Sequence, residues 1–206
     1  MTLFPNYHVN AVDMDGNCIT SLVAQNIETG KRLRFNAPLF VDCTGDGTVG
    51  YLAGADFKTG RESRDEFGEP TALEVADSLT MGTSVQWRSK KVKDGKAKKF
   101  PEFNYGITFT PETCHRVKKG EWTWETGMNL DQIKDFEQIR DYGLLVAYSN
   151  WSFIKNNLKL FPDRELEWVA YMGGKRESRR LLGDYILKED DIIKQVNHED
   201  ASFPST

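Results

Sequence analysis

The sequence predicts an α+β fold, and three observations carry that prediction. Residues 7–36 read as a three-stranded meander, with turns at Asp15-Gly16 and Thr29-Gly30. Residues 38–43, PLFVDC, make a short, continuously apolar run that ends at glycines, the pattern of a strand buried on both sides. Residues 130–157 place Leu130, Ile133, Phe136, Ile139, Leu144, Ala147, Trp151 and Ile154 at helical spacing.

Each element has its own local reason. In the meander, Ile19, Val23 and Ile27 share one parity, and Leu33 and Phe35 alternate with charge, so one face is dry and one wet. After PLFVDC and its glycine turn, TVGYLAGADF is rich in small residues and suits a short helix packed closely on the sheet. Residues 58–106 look irregular. Within them SLTMGTSVQW is a candidate strand with Val85 and Trp87 facing inward. The long helix is expected to start at Asn129 as cap, with Asp131 in its first turn and Gly143 marking a kink or a close packing point. Beyond it ELEWVAYM alternates as a strand would, although a helix also fits. GDYIL reads as another strand and KEDDIIKQV as a closing helix.

Composition excludes several classes. With 206 residues, 39% of them hydrophobic and 12% aromatic, the chain can build a core and is not a disordered tail. A net charge of −4 argues against a nucleic-acid partner. The one basic run, RSKKVKDGKAKK at 88–99, lacks aromatics on which bases would stack and reads as solvated loop. Cys18, Cys43 and Cys114 are far apart, so neither a zinc site, an iron–sulfur site nor a disulfide framework is readable. His8, His115 and His198 have no suitably spaced partners for a metal triad or a hydrolase triad. Neither a signal peptide nor a run of about 18 apolar residues is present. The compartment, an exported parent included, stays open.

Three clusters have the residue types that chemistry needs. The first is Asp42-Cys43-Thr44-Gly45-Asp46-Gly47. Glycines let a ligand approach the backbone, helix-start amides suit an anion, and Asp46 suits a ribose or ribityl hydroxyl. Equally, Asp46 can be a simple helix cap. The second is GRESRDEFGE at 60–69, with Arg61 and Glu62. The third is GGKRESRRLLGDY at 173–185, with Arg176, Glu177, Arg179 and Arg180. Guanidinium groups hold carboxylates and phosphates bidentately. These arginines therefore suit either an acidic substrate or internal pairing with Glu62 or Glu177, and pairing is the favoured reading because a buried guanidinium needs a carboxylate. Cys43 is read as a core thiol, and Trp122, Trp124, Trp151 and Trp168 as core packing.

Taken in order, FVDCTGDGTVGYLAGADF, GRESRDEFGE, MGTSVQW and GKRESRRLLGDYIL resemble the FAD-dependent oxidoreductase family with a glutathione-reductase-type FAD fold, some of whose members carry the name xanthan lyase. The resemblance implies a β-meander plus the remnant of an FAD-binding α/β domain over 1–57, joined to a mixed sheet-and-helix substrate domain, incomplete, over 58–206. It implies that Thr44, Gly45, Asp46 and Gly47 lie on the FAD side. Arg61, Glu62, Arg176, Glu177, Arg179 and Arg180 would border the substrate. The family opens with a strand–GxGxxG–helix unit, and residues 1–38 supply no such fingerprint. The expectation is therefore a fragment that lacks this unit and the C-terminal flavin-wrapping segment. Its parent would use FAD, while the fragment would bind none and be inactive alone. Its partners would be a small-molecule or carbohydrate substrate and the missing parts of its parent chain. Two other readings stay open, a non-enzymatic carbohydrate-binding or interaction domain and a piece of a polysaccharide lyase. The catalytic residues, the substrate and the electron acceptor are not readable.

Overall fold

The computed structural model describes residues 1–93 and 95–199. The chain divides into two compact units: Met1–Ser78 with the segment from Arg179 onward, and Leu79–Ser178. Residues 58–78 thus group with the meander, as does the chain from Arg179. Among the described residues both strands and helices are present, and the strands form three small sheets.

The first unit opens with the expected meander, β1 (Tyr7–Asp15), β2 (Cys18–Asn26) and β3 (Arg32–Asn36), all antiparallel. Gly16 and Gly30, both at positive φ, make the two turns. The simple parity expected for β2 fails for a local reason. The β1–β2 register shifts between Val9 and Ala11 and again between Asp13 and Met14, and each bulge exchanges the faces. Ser21 and Ala24 are buried as a result, and Ile27 lies exposed beyond the strand. Asp13 bridges Ser21 and Arg34 across the sheet.

PLFVDC does not form a strand. Residues 37–43 pair with no neighbour, and Leu39 and Val41 are each 84% exposed. An apolar run becomes a buried strand only where another strand completes its ladder, and none of the described residues does so. Cys43 is consequently exposed rather than a core thiol. Next come α1 (Thr48–Leu52), β4 (Phe57–Lys58) and α2 (Arg64–Phe67). The chain returns to this unit as β8 (Arg180–Leu181), which pairs with β4, and as α4 (Glu189–Ile193). GDYIL follows β8 as irregular chain, so the strand lies one step earlier than its sequence suggested.

The second unit holds the main core. Its sheet has the order β6-β5-β7, with β5 at Trp87–Lys91, β6 at Lys119–Gly120 and β7 at Arg164–Val169. Here the basic run begins as the central strand instead of a loop. Trp87 and Ser89 are buried while Arg88 and Lys90 point out, so alternation survived beneath the charge. Helix α3 (Phe136–Asn156) starts later than expected. The Asp131 carboxylate accepts hydrogen bonds from the amides of Ile133 and Lys134 and closes a separate turn first. Trp151 and Ile154 are fully buried against Val85, Trp87, Phe109 and Val146. Of the other tryptophans, Trp124 packs on this core, whereas Trp122 and Trp168 are half exposed.

Gly143 is the close packing point its position suggested. A Cβ there would lie 2.6 Å from Val85 Cγ2. Gly143→Ala should destabilise the protein by about 1–3 kcal/mol through overpacking. A thermal melt measures this, and the double variant Gly143→Ala with Val85→Ala should recover part of the loss.

Candidate functional site

Two features of the first unit contain most of the residues that the sequence singles out. The first is the turn from Asp42 to Gly50. One oxygen of the Asp42 carboxylate accepts the Thr44 amide at 3.0 Å and the Thr44 hydroxyl at 2.7 Å. Its other oxygen accepts the Gly50 amide at 3.0 Å. The Thr44 hydroxyl in turn accepts the Thr48 amide at 2.8 Å. Burial alone would raise the Asp42 carboxyl, but these hydrogen bonds outweigh it and hold the group below its ordinary value.

Asp42 and Thr44 therefore perform the capping that Asp46 was offered for. Gly47, in the left-handed region, is the cap residue of α1, and no side chain bonds there. The first cluster holds a further pattern. Gly45, Gly47 and Gly50 are spaced G-x-G-x-x-G. The geometry distinguishes them. Gly45 has φ +81 and nothing within 4 Å of its Cβ position, so its backbone is open to an approaching group. Gly47 and Gly50 are covered instead, since a Cβ on either would come within 3.1 Å and 2.4 Å of the Leu181 side chain. Of the donors in this turn, the amides of Thr44 and Gly50 are held by the Asp42 carboxylate and that of Thr48 by the Thr44 hydroxyl. A pyrophosphate would find fewer amides here than in a bare glycine turn, and the open side is at Gly45.

The second feature is a cavity of about 310 Å³ lined by Lys58, Glu62, Phe67, Glu69, Arg180 and Tyr185 among others. Strand β8 joins the two features by simple alternation. Arg179 lies 3.6 Å from the centre of the Tyr51 ring and donates to the Asp46 carbonyl at 3.3 Å. Leu181 fills the glycine groove. Arg180, between them, goes the other way and donates to the Gly60 carbonyl at 2.7 Å and to Glu62 at 2.6 Å. Burial works against the Glu62 carboxylate, but the bond from Arg180 prevails and its pKa is lowered. Lys58 pairs with Glu66.

The other selected residues separate. Arg61 forks onto Asp77. Arg176 and Glu177 belong to the second unit, where Arg176 pairs with Glu125 over the Trp122 ring and Glu177 accepts the Met81 amide at 2.8 Å. Internal pairing of the arginines is thus the observed arrangement, with Glu62 as one partner. The Arg176 side chain is 41% exposed, so the large penalty for breaking a buried pair does not apply to it.

Tyr185 and His198 are neighbours that no sequence pattern announces. Their rings lie 4.9 Å apart, and the Tyr185 hydroxyl donates to Asp191 at 2.8 Å. That bond raises the Tyr185 pKa, the opposite of what a tyrosine base in a lyase requires. Among the described residues no cluster of three or more His, Cys, Asp or Glu side chains could hold a metal ion, and no helix is long and apolar enough to cross a membrane.

Residues 1–202 match the sequence model of a family described as FAD dependent oxidoreductase. Comparison with curated proteins and with solved structures gave no match.

Two outcomes test this geometry. Asp42 has a depressed folded pKa, so its contribution is present above the ordinary carboxylate value of about 4 and lost as the pH falls through the folded value. Asp42→Asn should lower stability at pH 7 by about 1 kcal/mol and flatten the acid limb of the stability curve, read by denaturant melts from pH 7 downward. Separately, Arg180→Ala should raise the Glu62 pKa toward its ordinary value in a carboxyl NMR titration. An unmoved midpoint would mean that the pair does not form in solution.

Proposed function

The chain belongs to the FAD dependent oxidoreductase family, and on that premise we propose that its first unit borders both the flavin and the substrate of a two-electron transfer. Thr44, Gly45, Asp46 and Gly47 take the flavin side. Glu62 and Arg180, joined by Lys58, take the substrate side. The observation that carries this reading is the chain at the start of β8, where the adjacent residues Arg179 and Arg180 contact the turn and the cavity respectively.

FAD, when bound, supplies a ring that accepts two electrons from a substrate. The chain's own groups do the positioning. Gly45 gives access to the backbone, and Asp46 offers a carboxylate to ribityl or ribose hydroxyls. Arg179 holds the turn in place from behind. In the cavity Arg180 is fixed by two bonds and presents a rigid donor edge, while Lys58 is a second cation. Each cation is paired with a glutamate, so the substrate we propose is small, polar and not polyanionic. Arg61, Arg176 and Glu177, engaged elsewhere, are assigned structural roles.

The amides of Thr44, Thr48 and Gly50 are engaged, so we place the main pyrophosphate contacts of FAD outside these residues, on further parts of a parent flavoprotein. The chain alone is then expected to be colourless and to bind added FAD with a Kd weaker than about 10 μM, measured by quenching of flavin fluorescence. Stoichiometric yellow protein would overturn that assignment. Asp46→Ala in a flavin-loaded protein containing this segment should release flavin more readily than the unchanged protein, read by the flavin fluorescence that appears on dilution.

A further inference from the structure

The second unit carries a charge that the whole chain conceals. It holds 17 of the 27 Lys and Arg and 13 of the 31 Asp and Glu, a net +4, whereas the whole chain stands at −4. Much of the excess lies in the run 88–99. On β5, Arg88 and Lys90 pair with Glu167, and Lys91 pairs with Asp163. The loop that follows differs. Its backbone is pinned, since the Val92 amide donates to the Asp163 carbonyl at 2.9 Å and the Ala97 amide to the Pro162 carbonyl at 3.0 Å. The Lys98 amide donates to the Glu165 carboxylate at 2.8 Å. Yet the side chains of Lys93, Lys96, Lys98 and Lys99 are exposed, and none forms an ion pair among the described residues.

At Phe100 this loop enters an apolar groove of about 410 Å³, lined by Phe100, Pro101, Phe103, Leu144, Leu145 and Tyr148. The polar groups beside it are engaged. The Pro101 carbonyl accepts the Ser152 hydroxyl at 3.1 Å and the Asn156 amide nitrogen at 3.3 Å, and the Phe103 amide donates to Ser152 at 2.9 Å. Asp141, which also lines the groove, accepts the Arg140 guanidinium at 2.9 and 2.7 Å. Within 95–110 the three lysines are accompanied by one carboxylate, Glu102, which lines the neighbouring cavity and not this groove. Tyr105, exposed, meets the Phe103 ring edge-on at 4.9 Å. With Tyr148 it supplies rings of the kind that sit at a border between water and hydrocarbon.

A lysine loop alone fits any anion, and an apolar groove alone fits many occupants. Joined at Lys99 and Phe100, they select a partner that is anionic at its surface and hydrocarbon beneath. We propose that residues 93–103 and the Leu144–Tyr148 turn of α3 dock on an anionic lipid bilayer. Lys96, Lys98 and Lys99 meet the headgroups, and Phe100, Phe103 and Leu145 reach the boundary of the acyl chains. A nucleic acid would leave the groove uncovered, and an apolar peptide would leave the lysines unmatched. The surface uses none of the residues assigned to flavin or substrate, so its test is independent of that reading.

The full chain is sedimented with phosphatidylcholine vesicles containing about 30% phosphatidylglycerol, and with phosphatidylcholine vesicles alone, at about 50 mM salt. Binding should be at least about tenfold tighter to the anionic vesicles and should weaken at least about tenfold at about 500 mM salt. Each lysine near such a surface is worth about fivefold in affinity. The triple variant Lys96→Gln, Lys98→Gln, Lys99→Gln should therefore lose about a hundredfold while keeping its melting temperature. Leu145→Gln, at a groove position outside the buried core cluster, should weaken vesicle binding about fivefold. Oligothymidylate and polyglutamate serve as anions without hydrocarbon, and both should bind at least about tenfold more weakly than the anionic vesicles. Any of four results would overturn the proposal: no sedimentation with either vesicle, equal binding to both, an affinity for oligothymidylate or polyglutamate that equals the vesicle affinity, or unchanged vesicle binding in the folded lysine variant.

Discussion

The first unit depends on one short antiparallel pairing, in which Phe57 and Lys58 meet Leu181 and Arg180. Two residues a side make a weak ladder, so its strength comes from what the side chains do next. Arg179 and Leu181 face the glycine turn, and Arg180 faces Glu62. Each contact joins positions more than a hundred apart in sequence, so the loop closed is long and its entropy must be offset by several bonds at once. Arginine suits this task better than lysine. Its plane stacks on Tyr51 at position 179 and forks between a carbonyl and a carboxylate at position 180.

The two units are stabilised by different means. The second buries Trp87, Ile139, Trp151 and Ile154 and follows ordinary core physics. Among hydrophobic residues the first buries Ala24 and Val49, while Leu39, Val41, Val75, Leu187, Ile192 and Ile193 stay exposed. Its order rests on directed bonds instead: the Asp42 cage, the Arg180–Glu62 pair, and the bond from the Thr71 hydroxyl to Glu189 at 2.8 Å. Bonds of this kind contribute about 1 kcal/mol each. Their number matters more than any one of them, and they respond to pH, which an apolar core does not.

What was legible in the sequence was whatever local pattern determines. The meander announced itself through glycine turns, and the long helix through its spacing. Val85 and Trp87 were legible as buried positions because alternation requires no partner to be seen. Non-local facts stayed hidden. PLFVDC has every local mark of a strand and lacks a ladder, because pairing belongs to two segments and only one was in view. Strand β5 hid inside a basic run, where Arg88 and Lys90 masked the buried Trp87 and Ser89. The match of Glu62 to Arg180 was foreseen as a possibility, but Arg61 lies beside Glu62 in sequence and faces Asp77 instead. The G-x-G-x-x-G spacing at 45–50 was overlooked, and spacing alone would have misled, since the Asp42 carboxylate already holds the Gly50 amide.

That carboxylate shows how one residue can redirect a glycine-rich turn. Glycines at these spacings remove side chains and expose amides, which makes an anion site by default. An aspartate placed before them supplies the anion from within. Three of the turn's amides, those of Thr44, Thr48 and Gly50, are then held without a ligand. The cavity beside it follows the same logic, with Lys58 and Arg180 matched by Glu66 and Glu62. Opposite charges held at fixed points give directional hydrogen bonding with little net field. On the function proposed for it, such a site would select a polar substrate by the placement of donors and acceptors and not by total charge.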